Sequence, residues 1–236
     1  IFSYPGYNEI LTGNADSTIN SNAKIYNKNI TVLEKLNQTN NYKNKIAAFA
    51  SWDVFPYIIN DKRSGIPVNA GYMQEFNIKT PIVDYINKNQ IRTPVIWENV
   101  RLDVYTHNLA LEYIKKKRPK LVYIAYGETD DFAHGGKYDF YINSLNYTDN
   151  MIAELWGYVQ SNKFYKDNTY FIITTDHGRG LMEDWSGHGT SQASWLAILG
   201  PNIEKTGLVE GEFFTNQIAE TIMQISKKSK TKIPTD

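Results

Sequence analysis

Cysteine is absent from this sequence of 236 residues. Disulfides are therefore excluded, and so are metal sites built on thiolate ligands. Any metal site in this chain must use histidine and carboxylate side chains, and the sequence has only four histidines. The absence of cysteine does not by itself settle the cellular compartment.

Net charge is absent as well, because 25 lysines and arginines balance 25 aspartates and glutamates. Proteins that bind nucleic acids or membrane surfaces usually carry a basic face, so the balance supports neither kind of partner. Apolar runs are all far shorter than the roughly 20 residues that a membrane-spanning helix needs. Lysines near the C-terminus are interpreted as a solvated tail; they are Lys227, Lys228, Lys230 and Lys232.

Short apolar runs alternate with longer amphipathic ones, which predicts an α/β fold with a mainly parallel sheet sandwiched by helices. Strands are predicted at residues 45–51, 121–126, 170–175 and 194–199, with a fifth candidate at 93–97. The four clearer runs are apolar on both faces, as in strands covered by helices on two sides. The chain length and ordinary composition favour one domain spanning residues 1–236.

Amphipathic spacing predicts helices at residues 99–117, 140–160 and 213–225. The first of these ends in a basic run followed by Pro119, which suits the negative end of a helix dipole and a helix stop. Periodicity is weaker near residues 14–44 and 60–80. We interpret both stretches as loop-rich excursions from the domain.

Acidic residues and histidines cluster where two of the predicted strands end. They are Asp130, Asp131 and His134 after one strand, and Asp176 and His177 after the next. The carboxyl ends of parallel strands gather at one edge of a sheet, and ligands bind there. The two clusters are therefore expected to meet. His188 follows on a glycine-flanked loop before the next strand and is expected to join them.

Imidazole nitrogen combined with carboxylate oxygen suits zinc, manganese or iron-like ions, whereas an all-oxygen set suits magnesium or calcium. Each cluster alone also has a structural explanation, since Asp130 and Asp131 could simply cap the helix that follows. Together with His188, the two clusters account for three of the four histidines, which favours a metal site. His107, the fourth histidine, lies in an amphipathic helix and is interpreted as structural or exposed.

The spacing Asp-Xaa-Xaa-Xaa-His at Asp130 and His134, the run Thr-Asp-His-Gly that contains His177, and the later Gly-His-Gly around His188 resemble the alkaline phosphatase superfamily. That superfamily includes nucleotide pyrophosphatase/phosphodiesterases and cofactor-independent phosphoglycerate mutases. The resemblance runs from Ser3 to the last helix. The motifs are specific in combination, although any one of them alone would be weak.

The resemblance implies two divalent metal ions, with zinc preferred and manganese as the alternative. One ion would be held by Asp130, His134 and His188, with Asp131 as the fallback for Asp130. The second ion would be held by Asp176 and His177, together with an aspartate near the N-terminus of the family. This sequence has no counterpart of that aspartate or its strand. We therefore expect that residues upstream are missing and that the chain without them holds its second ion weakly.

The segment that begins Ser-Tyr-Pro-Gly resembles the nucleophile segment of the same superfamily, so the resemblance implies that Ser3 attacks phosphorus from the start of a helix. Without the resemblance, Ser3 would be interpreted as a helix-capping serine. Asn8 and Thr190 are candidates for contacts with the substrate. Arg179 could meet a substrate anion or could be an ordinary solvated arginine.

These features predict a phosphomonoesterase or phosphodiesterase that acts on a small-molecule phosphate ester. A phosphoglycerate mutase-like phosphotransferase is the alternative, although only about a hundred residues separate Ser3 from the Asp130 cluster, where mutases carry a large insertion. A sulfatase is disfavoured because the arginine of its motif is missing after Ser-Tyr-Pro. The non-enzyme alternative is a metal-binding module without turnover. The biased composition suggests a bacterial protein, with export to the periplasm or secretion favoured over the cytoplasm.

Overall fold

The computed structural model describes residues 2–74, 78–180, 182–188, 192–204 and 207–228. The chain divides into two compact units. Unit 1 comprises Ile1–Ser21 and Ile152–Asp236, and unit 2 comprises Asn22–Met151. Each unit is described by itself below, and the single domain spanning 1–236 stays a prediction.

Unit 2 is built on a parallel sheet of three strands, β1 (Ile46–Ala50), β2 (Val68–Ala70) and β3 (Leu121–Ala125), in the order β2-β1-β3. Ala48 of β1 pairs with Val68, and Ile46 of β1 pairs with Leu121. All five residues of β1 are buried, as expected for a central strand whose small and apolar side chains face helices on both sides.

The helices that lie wholly in unit 2 are α2 (Val32–Asn37), α3 (Phe55–Ile59), α4 (Asp61–Ser64), α5 (Pro81–Asn89), α6 (Asp103–Lys117) and α7 (Glu128–His134). Helices α5 and α6 pack against the sheet around a buried core formed by Ala47, Phe49, Ile78, Val83, Ile86, Leu109, Ala110 and Tyr113. Helix α5 begins with Pro81 after Thr80, whose hydroxyl accepts a hydrogen bond from the Val83 amide.

Helix α8 (Tyr138–Ser161) begins in unit 2, and its residues from Ile152 onward belong to unit 1. The other elements of unit 1 are helix α1 (Ser3–Thr12), strands β4 (Phe171–Thr174) and β5 (Leu196–Leu199), a short 3-10 helix (Met182–Asp184) and helix α9 (Gln217–Lys228). Strands β4 and β5 pair antiparallel. Helix α1 ends at Gly13, whose positive φ of 74° suits a glycine at a helix C-terminus.

The predicted α/β class with a mainly parallel sheet is confirmed, and four of the predicted strands coincide with β1, β3, β4 and β5. The candidate strand at 93–97 is wrong, because this stretch forms bends and irregular backbone around Pro94, which cannot donate to a strand ladder. The expectation that all four strands are buried on both faces is also wrong for β5, whose Leu196 and Leu199 are exposed.

The predicted helices at 99–117, 140–160 and 213–225 appear as α6, α8 and α9 with shifted ends. The excursion at 14–44 contains α2, and the excursion at 60–80 contains α4 and β2, so neither is entirely loop. Among the described helices, none combines the length and apolarity needed to cross a bilayer.

Candidate metal centre

Ser3 is the first residue of helix α1 in unit 1. The residue before it, Phe2, takes the extended backbone of an N-cap, so Ser3 is not the capping residue of this helix. Ser3 is 8% exposed, and its Oγ lies 3.3 Å from Nε2 of His177. The hydroxyl therefore faces a predicted metal ligand instead of serving as the helix cap.

Gly6 lets helix α1 approach the backbone of Asp176, which lies two residues after the end of β4. A Cβ atom at Gly6 would lie 2.5 Å from the backbone carbonyl oxygen of Asp176, a distance that real Cβ atoms do not adopt. Only a residue without a side chain permits this approach. Because Ser3 lies one turn before Gly6, the same approach brings the serine close to Asp176 and His177.

The tautomer of His177 follows from its hydrogen bonds. Its Nδ1 lies 2.9 Å from the carbonyl oxygen of Gly178, which can only accept, so Nδ1 carries a proton. In the neutral ring, Nε2 then carries the lone pair, which can accept the Ser3 hydroxyl hydrogen or bind a metal ion, and this atom lies 3.4 Å from Oδ2 of Asp176. Both side chains are largely buried. A histidine whose far nitrogen is held by a carbonyl group is oriented to use Nε2 as a metal ligand.

His188 lies beside His177 in the same unit. Their ring centroids are 4.2 Å apart, and the rings meet edge to face. The loop that carries His188 turns back tightly, since the Gly187 amide donates to the carbonyl of Asp184. Unit 1 therefore gathers four of the predicted site residues, Ser3, Asp176, His177 and His188.

The three other predicted contacts of unit 1 stay predictions. Asn8 is fully buried, and its side-chain amide donates to the carbonyl of Asn14 at 3.0 Å. Arg179 reaches the backbone of its own loop, with Nη1 at 3.4 Å from the carbonyl of Ser186. Thr190 lies outside the described residues.

Asp130 and His134 lie one turn apart on helix α7 of unit 2. Oδ2 of Asp130 is 3.4 Å from Nε2 of His134, and the side chains are 35% and 40% exposed. The fallback residue Asp131 lies on the same helix, and its carboxylate lies near Gly127, at 3.6 Å from where a Cβ would stand. The i, i+4 spacing thus places one carboxylate and one imidazole together, which is a usable pair of metal ligands.

The residue that caps helix α7 is neither Asp130 nor Asp131. The amides of Gly127 and Glu128 donate to the two carboxylate oxygens of Asp103, at 2.8 and 3.0 Å. In return, the Asp103 amide donates to Oε1 of Glu128 at 2.7 Å. Sequence reasoning missed Asp103, although an aspartate near the beginning of the helix predicted at 99–117 was a signal that could have been followed.

Burial governs the ionisation of this region. It raises the pKa of the Asp103 carboxyl to about 7, and the neighbouring Glu128 carboxylate raises it as well. Burial also raises the pKa of Glu128. The nearby guanidinium of Arg101 is fully buried, and burial lowers its pKa to about 9 while the Asp103 charge acts in the opposite direction. Burying these charged groups costs free energy, and Asp103 among them contacts the first amides of helix α7.

The fold and these residues define an α/β protein that carries carboxylate and imidazole side chains after the carboxyl ends of its strands. The chain belongs to the Metalloenzyme superfamily, whose family model matches residues 3–228. No curated protein matches the chain in sequence.

Solved structures of alkaline phosphatases share this fold. The alkaline phosphatase from the Antarctic bacterium TAB5 is 15% identical, with a TM-score of 0.56, and the match covers 96% of this chain and 84% of that one. Two mutants of TAB5 alkaline phosphatase with bound Mg match over the same shares, at 13% and 16% identity and TM-scores of 0.56 and 0.58. At this level of identity the likeness concerns the fold.

Proposed function

We propose that this protein is a metal-dependent phosphoryl-transfer hydrolase that acts on small-molecule phosphate esters with Ser3 as its nucleophile. The observation that carries the proposal is the position of Ser3 at the start of helix α1, with its Oγ 3.3 Å from Nε2 of His177. Membership of a metalloenzyme superfamily and the fold shared with alkaline phosphatases support the same class of chemistry.

The side chains fit a divalent metal ion. Nε2 of His177 is the unprotonated ring nitrogen because Nδ1 donates to a carbonyl, and a carboxylate oxygen of Asp176 lies beside it. We assign Asp176 and His177 of unit 1 to one ion and Asp130 and His134 of unit 2 to another, and His188 stays the further ligand that the family resemblance predicts. A nitrogen and oxygen donor set of this kind suits zinc, with manganese as the alternative. Bound ions of this type neutralise the charge of a phosphoryl group and lower the pKa of a bound hydroxyl or water.

The residues of the chain supply the nucleophile and its orientation. In the proposed reaction, Ser3 Oγ forms a bond to phosphorus while the bond from phosphorus to the ester oxygen breaks, and the alcohol leaves with a proton. Water then cleaves the phosphoserine and releases inorganic phosphate from a monoester substrate, or a phosphate monoester from a diester substrate. The first amides of the ten-residue helix α1 lie beside Ser3, and the positive end of a helix favours a bound phosphoryl group.

Two alternatives differ in the fate of the phosphoryl group. In a mutase-like phosphotransferase the phosphoserine would pass its phosphoryl group to an acceptor hydroxyl. In a metal-binding module no phosphoserine would form. The buried, oriented serine supports turnover over a purely binding role.

The test is hydrolysis of p-nitrophenyl phosphate and of its bis-ester by the Zn²⁺-loaded chain and by Ser3→Ala. We expect Ser3→Ala to abolish hydrolysis while Zn²⁺ content, measured by elemental analysis, is retained. Ser144→Ala is the matched control, because Ser144 is also buried but donates only within its own helix, to the Tyr141 carbonyl. Equal hydrolysis by Ser3→Ala and the parent chain would refute the serine mechanism. The preferred ester separates a phosphatase from a phosphodiesterase.

A further inference from the structure

A buried polar network in unit 2 joins the ends of the strands to the start of helix α7. Ser51 follows β1, Asn69 lies in β2, and Gly127 follows β3, while Asp103 opens helix α6. Ser51, Asn69 and Asp103 are at most 2% exposed. Buried polar groups need hydrogen-bond partners, and here each of them finds partners within the network.

Asp103 and Glu128 cap each other's helices. The Asp103 carboxylate accepts from the amides of Gly127 and Glu128, which are the first donors of helix α7. The Glu128 carboxylate accepts from the Asp103 amide, which is a first donor of helix α6. These amides have no partner within their own helices, so each carboxylate satisfies groups that the other helix leaves open. The position of α7 is thereby tied to the position of α6.

The hydrogens of the network run in one direction, toward Asp103. Arg101 Nε can only donate, and it lies 2.8 Å from Thr106 Oγ1. The hydroxyl of Thr106 is then free to donate to Ser51 Oγ at 2.8 Å. Ser51 in turn donates to Oδ1 of Asp103. The carboxylate of Asp103 therefore receives donors from the strand end as well as from helix α7.

Arg101 anchors this chain of hydrogen bonds to the sheet. Its Nη1 lies 2.6 Å from Oδ1 of Asn69, and its backbone amide donates to the carbonyl of Ser51 at 3.0 Å. A side chain with this many fixed partners cannot move without breaking several buried hydrogen bonds. The sheet thus fixes Arg101, and the network transmits that rigidity to Asp103.

Helix α7 depends on such support from outside. It has only seven residues, and a helix of that length is marginal in water without tertiary contacts. Its two predicted metal ligands, Asp130 and His134, are more than a third exposed, so packing alone does not fix their side chains. The position of helix α7 therefore bears directly on where the pair lies.

We propose that Asp103 is a positioning residue that fixes helix α7 and thereby presents Asp130 and His134 to a divalent metal ion. This inference rests on the proposed function, because it takes Asp130 and His134 as ligands. The inference adds Asp103 to the residues on which the proposed site depends, although Asp103 is assigned no contact with the metal ion or the substrate.

The experiment compares Asp103→Asn with the parent chain by titrating Zn²⁺ into the metal-free protein in a calorimeter. Asn keeps one acceptor oxygen and the size of the side chain, but it replaces the second acceptor by an NH₂ group. We expect affinity for the ion assigned to Asp130 and His134 to fall ten- to a hundredfold, as for other residues that orient metal ligands. The affinity for the ion assigned to Asp176 and His177 stays at the parent value.

Glu112→Gln is the matched control. Glu112 is a buried carboxylate on the same helix α6, but its partners are Thr80 and Lys115, away from helix α7. We expect its Zn²⁺ affinities and hydrolysis rate to equal those of the parent. For Asp103→Asn we expect kcat to recover at saturating Zn²⁺, which a general loss of structure would not allow.

The outcomes separate this inference from the proposed function. If the parent binds Zn²⁺ and hydrolyses esters while Asp103→Asn matches it in affinity, the positioning role is refuted and the proposed function stands. If the parent binds no Zn²⁺, both are refuted. Should Asp103→Asn fail to fold by circular dichroism, Ser51→Ala removes a single donor to Asp103 and must weaken the same ion by a smaller factor. Parent-like affinity in that variant would also refute the role.

Discussion

Oγ of Ser3 and Nε2 of His177 lie 3.3 Å apart, although 174 positions separate the two residues in the sequence. Folding brings the start of helix α1 to the end of strand β4, and both side chains become buried there. A hydroxyl and an imidazole lone pair are thereby held together in unit 1. This pair is the centre of the predictions on activity that follow.

Replacing His177 by alanine removes the Nε2 atom that faces Ser3. We expect His177→Ala to lose one bound Zn²⁺ and to reduce kcat/KM by a factor on the order of 10² or more, because ligand and orientation are lost together. Zn²⁺ content and hydrolysis of p-nitrophenyl phosphate measure the two effects.

His107→Gln is the comparison for that variant. Nδ1 of His107 lies 2.9 Å from the Tyr126 hydroxyl, and the ring is buried. Losing this hydrogen bond should lower the free energy of unfolding by about 1–3 kcal/mol while Zn²⁺ content stays unchanged. Loss of Zn²⁺ from His107→Gln but not from His177→Ala would contradict the assignment.

Gly6→Ala tests the close approach of helix α1. The added Cβ would meet the Asp176 carbonyl oxygen at 2.5 Å, so the helix must shift away. We expect a loss of about 1–3 kcal/mol in the free energy of unfolding, with a parallel loss of hydrolysis because Ser3 moves with the helix. Chemical denaturation and the p-nitrophenyl phosphate assay measure the two losses.

Gly157→Ala is the opposite case in helix α8. Among the described residues, no atom other than the neighbouring residues and the backbone of the same helix lies within 4 Å of where its Cβ would stand. Alanine should therefore stabilise this helix by about 0.5–1 kcal/mol, since glycine is costly in a helix interior. Equal stability changes in the two glycine variants would show that the contact at Gly6 is unimportant.

The buried carboxyl of Asp103 makes stability depend on pH. Burial raises its pKa in the folded chain to about 7, from the ordinary value of 3.8 for an aspartate, so between these values the folded chain holds a proton that the unfolded chain releases. Stability therefore falls as pH rises from about 4 to 7, by up to about 4 kcal/mol from this group, and levels off above pH 7. The measurement is urea denaturation of the parent and Asp103→Asn across this window. The variant should lack this part of the slope, and identical slopes would refute the assignment.

His134→Ala separates metal binding from stability. The Asp130 and His134 side chains are more than a third exposed, and exposed pairs contribute only about 0–1 kcal/mol. The metal-free variant should therefore unfold within a few degrees of the metal-free parent. Adding Zn²⁺ should raise the unfolding temperature of the parent more than that of the variant, because a ligand stabilises only the state that binds it. Equal shifts in differential scanning calorimetry would argue against His134 as a ligand.

Much of the fold could be predicted from the sequence because β1, β3 and β4 are short, continuous apolar runs bounded by polar residues. Strand β2 could not, since it has only three residues and includes the polar Asn69. Asn69 is buried because its side chain accepts from Arg101, a contact that no local pattern shows. Short helices such as α4 and α7 were likewise missed, because their stability comes from caps and tertiary contacts.

The residues of the candidate site likewise fall into those that the sequence predicts and those that only the structure shows. Asp130, His134, Asp176 and His177 could be singled out because they follow predicted strands at recognisable spacings. The place of Ser3 beside His177 depended on a family resemblance, and only the structure shows the contact within unit 1. Asp103 was missed because its role depends on partners 24 and 25 positions away, at Gly127 and Glu128.

The exchange of caps between Asp103 and Glu128 also bears on how unit 2 opens in solution. The amide of each residue is held by the carboxylate of the other, so neither helix can fray at its first turn without releasing both protons. Amide hydrogens at these two positions should therefore exchange with deuterium at a common rate, as members of one cooperative unit. Residues far apart in the chain then share one opening event. The amides at the start of helix α7 are thereby protected from exchange as well as those of the longer helix α6.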